Sequence, residues 1–201
     1  MKLSAAPFGL LASLIPLTMA PNPAAAQSVG DIYWGVFGAA QFPLDNEIEG
    51  GDVDFDPGFN VGGQLGYIFG SVRAEAEFEY GEAQVAEFDD SRSIDSTLTT
   101  IRGTGSLYFD FIGFNQSNIL PYVGAGFGVA SLRLNDDIDD GDVGMTAHGE
   151  IGVSFAAAAN FDVVFAYRFE WFDTNVGGVD DNVQVNQVRA GIRFFTGPGC
   201  C

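Results

Sequence analysis

Lysine is almost missing from this chain. Lys2 is the only one, lysine and arginine together number 8 against 27 aspartates and glutamates, and the formal net charge is −19. With so few cations to cluster, the chain has no surface for a phosphate backbone, which excludes nucleic acid as a partner. Cysteine is confined to Cys200 and Cys201 at the C-terminal end, where it cannot staple distant elements together, so no internal disulfide framework is expected. Long apolar runs are also absent after residue 26, although the chain is 47% hydrophobic and holds 19 phenylalanines. A membrane-spanning helix needs about 20 consecutive apolar residues, so none is expected there.

The first 26 residues read as an export signal. Lys2 gives a positive start, Phe8 to Leu17 a short apolar stretch broken only by Pro16, and Ala24, Ala25 and Ala26 a small-residue cleavage pattern before Gln27. We therefore expect a signal peptide over 1–26, one domain over 27–196 and a C-terminal tail over 197–201. Without the signal the chain keeps seven arginines and no lysine.

What the remaining sequence does show is alternation with a period of two, the mark of β-strands with two unlike faces. From Val72 to Tyr80, Arg73, Glu75, Glu77 and Glu79 share one face, and Val72, Ala74, Ala76, Phe78 and Tyr80 the other. From Phe161 to Phe172, Asp162, Arg168 and Glu170 oppose Phe165, Tyr167, Phe169 and Trp171. Arg189 and Arg193 oppose Val188, Ile192 and Phe194, while Arg102 and Asp110 oppose Ile101, Leu107 and Phe109. Glu150 and His148 oppose Ile151 and Met145, and a glycine-rich face opposes Val123, Phe127 and Val129. With Phe59 to Phe69 and the first strand, Asp31 to Phe42, the count is eight. The first strand carries aromatics on both faces, which leaves its orientation open.

Short connections (Gly70 to Ser71, 113–118, 157–160) alternate with longer ones (44–58, 86–97, 134–144, 173–182), and the longer ones hold 18 of the 27 acids. Short turns at one end and long polar loops at the other fit an outer-membrane barrel. A secreted, lipocalin-like barrel with its apolar face around a ligand would show the same alternation. Three features favour lipid outside. Glycine, serine and threonine on the polar face suit a cramped lumen. Arginine, not lysine, carries the positive charge, as buried pairing favours. Aromatics such as Trp34, Tyr67, Phe69, Tyr80 and Trp171 sit near the ends of the bulky face, where interfacial girdles belong. The expected fold is thus all-β, an eight-stranded antiparallel up-and-down transmembrane β-barrel.

Two segments carry a family resemblance. Pro121 to Gly128 (Pro-Tyr-Val-Gly-Ala-Gly-Phe-Gly) and Val188 to Phe194 (Val-Arg-Ala-Gly-Ile-Arg-Phe) resemble the small outer-membrane β-barrel, or porin, family that includes opacity proteins and the transmembrane domain of outer membrane protein A. The resemblance implies an architecture and not an activity. Members usually end on an aromatic residue read by the barrel-insertion machinery, whereas here 196–201 follow Phe195.

The candidate site is a lumen charge network of Arg73, Glu75, Glu77, Glu79, Arg102, Asp110, Arg133, His148, Glu150, Arg168, Glu170, Arg189 and Arg193. Charges withdrawn from water must find partners, so these should interlock and close the tube, with little or no steady conductance. No catalytic residue, cofactor or metal site is expected. Asp136 to Asp142 departs from a calcium loop because Ile138 stands where the motif needs an acid or amide and no glutamate follows at the right distance. Some barrels of this size hydrolyse lipid A with serine, histidine and an acid. His148 and Ser154 are six residues apart on one strand, roughly 20 Å, too far to bond directly, while a cross-strand partner such as Ser106 stays open. Lipid and lipopolysaccharide are the expected surroundings, with divalent cations bridging the acidic loops to the anionic lipid.

Overall fold

The computed structural model describes residues 30–43, 47–48, 51–55, 57–88, 96–112, 118–135, 141–158, 160–176 and 179–196. The signal peptide over 1–26, the tail over 197–201, and 136–140 of the calcium-like stretch lie outside them. Among the described residues there are ten strands: β1 (Ile32–Pro43), β2 (Glu47–Ile48), β3 (Gly51–Phe55), β4 (Gly58–Phe69), β5 (Val72–Phe88), β6 (Ser96–Asp110), β7 (Ile119–Asn135), β8 (Gly141–Ala158), β9 (Phe161–Val176) and β10 (Val179–Phe195). Every pairing is antiparallel. β4 to β10 each pair with the next in sequence, and β1 pairs with both β4 and β10. Eight strands thus close into a barrel and leave no edge, as a backbone surrounded by hydrocarbon requires.

The register fixes the geometry. A walk around the barrel along directly paired residues runs Tyr33, Gly66, Glu75, Ser106, Gly126, His148, Glu170, Val185 and back to β1 at Pro43. The path returns ten residues beyond its start, and this stagger tilts the strands by about 40°. On β4 the outward aromatics Phe59 and Phe69 are ten steps apart. At about 3.3 Å per residue and that tilt they stand about 25 Å apart in height, the thickness of an outer-membrane apolar band.

The apolar face points outward. Trp34, Leu65, Phe69, Phe109, Tyr167 and Trp171 are exposed, while the arginines and acids opposite them are buried. The first strand is oriented by the same rule: Tyr33 and Phe37 face inward and Trp34 and Val36 outward. Near the short-turn end Trp34 stacks on Phe194 across the β1–β10 seam, with ring centroids 4.6 Å apart. The β4–β5 turn at Gly70 and Ser71 has Gly70 at φ 79°, a conformation that glycine adopts without the steric cost a side chain would bring.

Two features differ from the sequence expectation. The segment 44–58 contains the β2–β3 hairpin, whose second strand pairs with β5 at Val53↔Phe88 and Asp54↔Glu87. The ladders also continue into the other long connections, so Glu87, Asp142, Asp173, Asp180 and Asp181 lie on strands. The sequence there is rich in acids and loses its period-two alternation before the hydrogen bonding ends.

Four of the inward aromatics lie over a glycine of a neighbouring strand. Tyr33 pairs with Gly66, Phe37 with Gly62, Tyr108 with Gly124 and Tyr122 with Gly152. A Cβ at Gly124 would sit 2.1 Å from Tyr108 Cδ1 and 2.7 Å from the Leu107 carbonyl oxygen, so the ring occupies the space a side chain would need. We predict that Gly124→Ala costs about 1–3 kcal/mol of unfolding free energy in lipid vesicles, the range for overpacking. Gly103→Ala, where an added Cβ meets nothing within 4 Å, should be near neutral. Equal effects would contradict the account.

Candidate functional site

β5 delivers Arg73, Glu75, Glu77 and Glu79 to the lumen at alternate positions, and the facing strands answer them with charges of both signs. At mid-height four side chains form a closed square. Arg168 on β9 donates through Nε to Glu150 Oε2 at 2.7 Å and through Nη2 to Glu77 Oε1 at 2.7 Å. Arg189 on β10 donates through Nη1 to the same Glu150 oxygen at 2.7 Å and through Nη2 to Glu77 Oε2 at 3.0 Å. Two guanidiniums and two carboxylates from β5, β8, β9 and β10 therefore cross the tube as a neutral unit. Tyr108 donates its hydroxyl to Glu77 at 3.0 Å and Tyr122 donates to Glu150 at 2.9 Å.

Each end of the square continues into a group with one arginine and two acids. Toward the short turns, Arg73 donates to Asp110 at 2.8 and 3.1 Å and contacts Glu75 at 3.3 Å, and the Tyr33 hydroxyl donates to Glu75. The Arg73 guanidinium also lies 4.7 and 4.9 Å from the ring centroids of Tyr108 and Tyr122, close enough for a favourable cation–π contact. Toward the long loops, Arg102 bridges Glu79 and Glu170. Glu170 accepts two further bonds, from Thr146 at 2.7 Å and Gln187 at 2.9 Å. Arg193 pairs with Asp162 at 3.4 Å. Neutral donors thus share in solvating the acids that outnumber the arginines at the two ends, as buried carboxylates require.

Of the residues singled out in the sequence, the structure brings together Arg73, Glu75, Glu77, Glu79, Arg102, Asp110, Glu150, Arg168, Glu170 and Arg189 in these three groups, with Arg193 in its separate pair. The side chain of Arg133 lies outside the described ones. His148 is buried, but its bond is to Ser106, with Oγ 3.2 Å from Nε2. The contact passes over Gly126, which pairs with Ser106 on one side and His148 on the other. This is the cross-strand contact the sequence left open. Both side chains face the lumen, behind the sheet wall from any acyl chain. Among the described residues His148 Nδ1 has no hydrogen-bond partner, so none of their carboxylates orients the ring as in a serine hydrolase.

Sequence reasoning missed the hydroxyls of Tyr33, Tyr108 and Tyr122 and the Gln187 amide. Parity was the signal for two of them, since Tyr108 shares a face with Arg102 and Asp110 and Gln187 with Arg189 and Arg193, whereas β1 and β7, the strands of Tyr33 and Tyr122, carry no charge on that face. The space left between Arg73, Tyr108, Tyr122, Arg189 and their neighbours is about 20 Å³, room for about one water. A lipocalin-like interior would instead be apolar and open.

An apolar wall around a buried polar interior defines an integral outer-membrane barrel. The outer membrane protein beta-barrel domain family matches residues 10–194, and the chain belongs to that family. No curated protein matches the sequence significantly. Among solved structures, the chain is similar to Neisserial surface protein A, with TM-score 0.59, 22% identity, and 81% of this chain and 96% of that one covered. It is similar to OprG of Pseudomonas aeruginosa with TM-score 0.57, 14% identity and coverages of 86% and 98%. It is also similar to Ail, the attachment invasion locus protein of Yersinia pestis, with TM-score 0.52, 15% identity and coverages of 84% and 100%. At these identities the likeness shows the fold.

Removing one arginine from the square leaves two buried carboxylates to share one guanidinium. We predict that Arg168→Met lowers the unfolding free energy by about 3–5 kcal/mol, the range for breaking a buried pair. Arg168→Met with Glu150→Gln should lose less than Arg168→Met alone in urea titrations in lipid vesicles. Simple additivity would show that the square is not a unit.

Proposed function

We propose that this protein is a non-enzymatic barrel of the outer membrane with a structural or surface-interaction role, a lumen closed by its charge network, and acidic loops outside the cell. The observation that carries this reading is the square of Arg168, Arg189, Glu77 and Glu150. An ion crossing the tube would have to separate two guanidiniums from two carboxylates already removed from water, at a cost of several kcal/mol per ion. The chain reaches this position by export through the periplasm and assembly by the barrel-insertion machinery. Ser106 and His148 belong to the packing of the lumen in this reading, because among the described residues no acid orients the ring and both side chains are buried inside the barrel.

The loops meet lipopolysaccharide, and both are anionic. Divalent cations held by the lipid then bridge the two surfaces, since direct contact would be repulsive. Two of the similar structures carry names that speak of the cell surface or of attachment, which supports a surface role here. Ail has been solved with a heparin analogue, sucrose octasulfate. A net charge of −19 makes a sulfated polyanion a poor ligand for this chain.

In planar bilayers containing lipopolysaccharide, the purified protein should give no steady conductance. Millimolar magnesium should strengthen its retention on lipopolysaccharide micelles, and chelation should reverse this. A stable open channel overturns the closed lumen, and retention indifferent to magnesium overturns the bridging role.

A further inference from the structure

A wide concavity lies on the outside of the barrel. It measures about 830 Å³ and crosses β4 to β7 in the half nearer the short turns. Its size is that of a ligand site, about 300–1,000 Å³, whereas the space between Arg73, Tyr108, Tyr122 and Arg189 in the lumen is about 20 Å³. Ala74, Ala76 and Gly105 form the floor, and Leu65, Leu107 and Phe127 the walls. The floor follows from the register, which sets Ala76 beside Gly105 and Gly105 beside Phe127.

Gly105 is the floor residue of this trench that no neighbour covers, an openness it shares with the outward Gly103 and Gly149, which do not line the trench. The lumen glycines beneath aromatic rings are occupied, as Gly66 is by Tyr33 and Gly124 by Tyr108, but a Cβ at Gly105 would meet nothing within 4 Å. Glycine weakens a strand, and at Gly105, unlike Gly103 and Gly149, the bare backbone lies on the floor of a trench, where another group can approach it closely. Next to it Phe127 stands 77% exposed and walls the trench without filling it. One end of the trench is polar: Tyr67 lines it, and the Tyr67 hydroxyl lies 3.5 Å from the position a Cβ would take on Gly30, at the start of the barrel. A trench that is apolar along its length and carries a phenol hydroxyl at interfacial height has the polarity of a membrane lipid. It is also continuous with the band that acyl chains already cover.

We propose that this trench is a binding site for an acyl chain of a phospholipid in the periplasmic leaflet, with Gly105 admitting the chain to the backbone and Tyr67 meeting the glycerol and headgroup region. The occupant is a lipid and not a second barrel, because a second apolar wall would leave the Tyr67 hydroxyl facing hydrocarbon.

The test compares wild type, Gly105→Trp and Gly149→Trp. The last adds the same indole at another outward glycine with nothing within 4 Å, two strands from Gly105. Each protein is reconstituted in vesicles of phosphatidylethanolamine and phosphatidylglycerol, released in mild detergent and weighed by native mass spectrometry. Wild type and Gly149→Trp should retain a phospholipid adduct, and Gly105→Trp should retain about tenfold less, a loss of about 1.4 kcal/mol of binding. Ala76→Leu, a smaller filling of the same floor, replaces Gly105→Trp if that variant lacks the heat-modifiable migration of a folded barrel. Equal retention in all three proteins overturns the proposal, as does a wild type without an adduct. A wild-type dimer that Gly105→Trp dissociates overturns it in favour of a second copy.

Discussion

A closed eight-stranded wall leaves room inside for side chains and little else, and in this protein those side chains are charged. Every other feature follows from this constraint. Residues that would be solvated on a soluble protein have to solvate one another here. Arginine suits the role because one planar guanidinium can serve two carboxylates at once. Arg168 and Arg189 both do this between Glu77 and Glu150, and Arg102 does it between Glu79 and Glu170. The network draws on β5, β6, β8, β9 and β10, so it ties together strands that the backbone ladders join only to their neighbours.

The tyrosines and glycines complete the same arrangement. Tyr33, Tyr108 and Tyr122 bring hydroxyls to the acids while their rings fill the tube. The rings fit because a glycine lies opposite each one on the next strand. Glycine, usually a weak strand former, is here the counterpart of a large aromatic group and contributes to the packing density of the lumen. Outside, glycine and alanine do the opposite around Gly105 and leave the wall concave.

The extent to which this could be read in advance depended on contrast between faces. From Val72 to Tyr80 the two faces differ so sharply that the strand, its orientation and its lumen residues were all legible. On β1, Tyr33 and Trp34 are chemically alike and face opposite ways, and only the register with Gly66 and Leu65 separates them. The contact of Ser106 with His148 spans β6 to β8 and depends on how each strand is staggered against the next, which single-strand periodicity does not contain. Strand ends such as Glu87 and Asp180 were read as loop because acidic residues gather there in the sequence while the ladder continues. The eight-stranded closure was legible because short and long connections alternate, while the β2–β3 hairpin left no such mark.

The central claim is the inside-out arrangement, and the two tryptophans report on it directly. Trp34 on β1 and Trp171 on β9 are both on the outer wall, toward opposite ends of the barrel, and are 47% and 45% exposed. In vesicles of lipid brominated on the acyl chains, emission from both should be strongly quenched, whereas aqueous iodide should quench them little. Tryptophan emission indifferent to brominated acyl chains would place the aromatic face away from lipid and contradict the account.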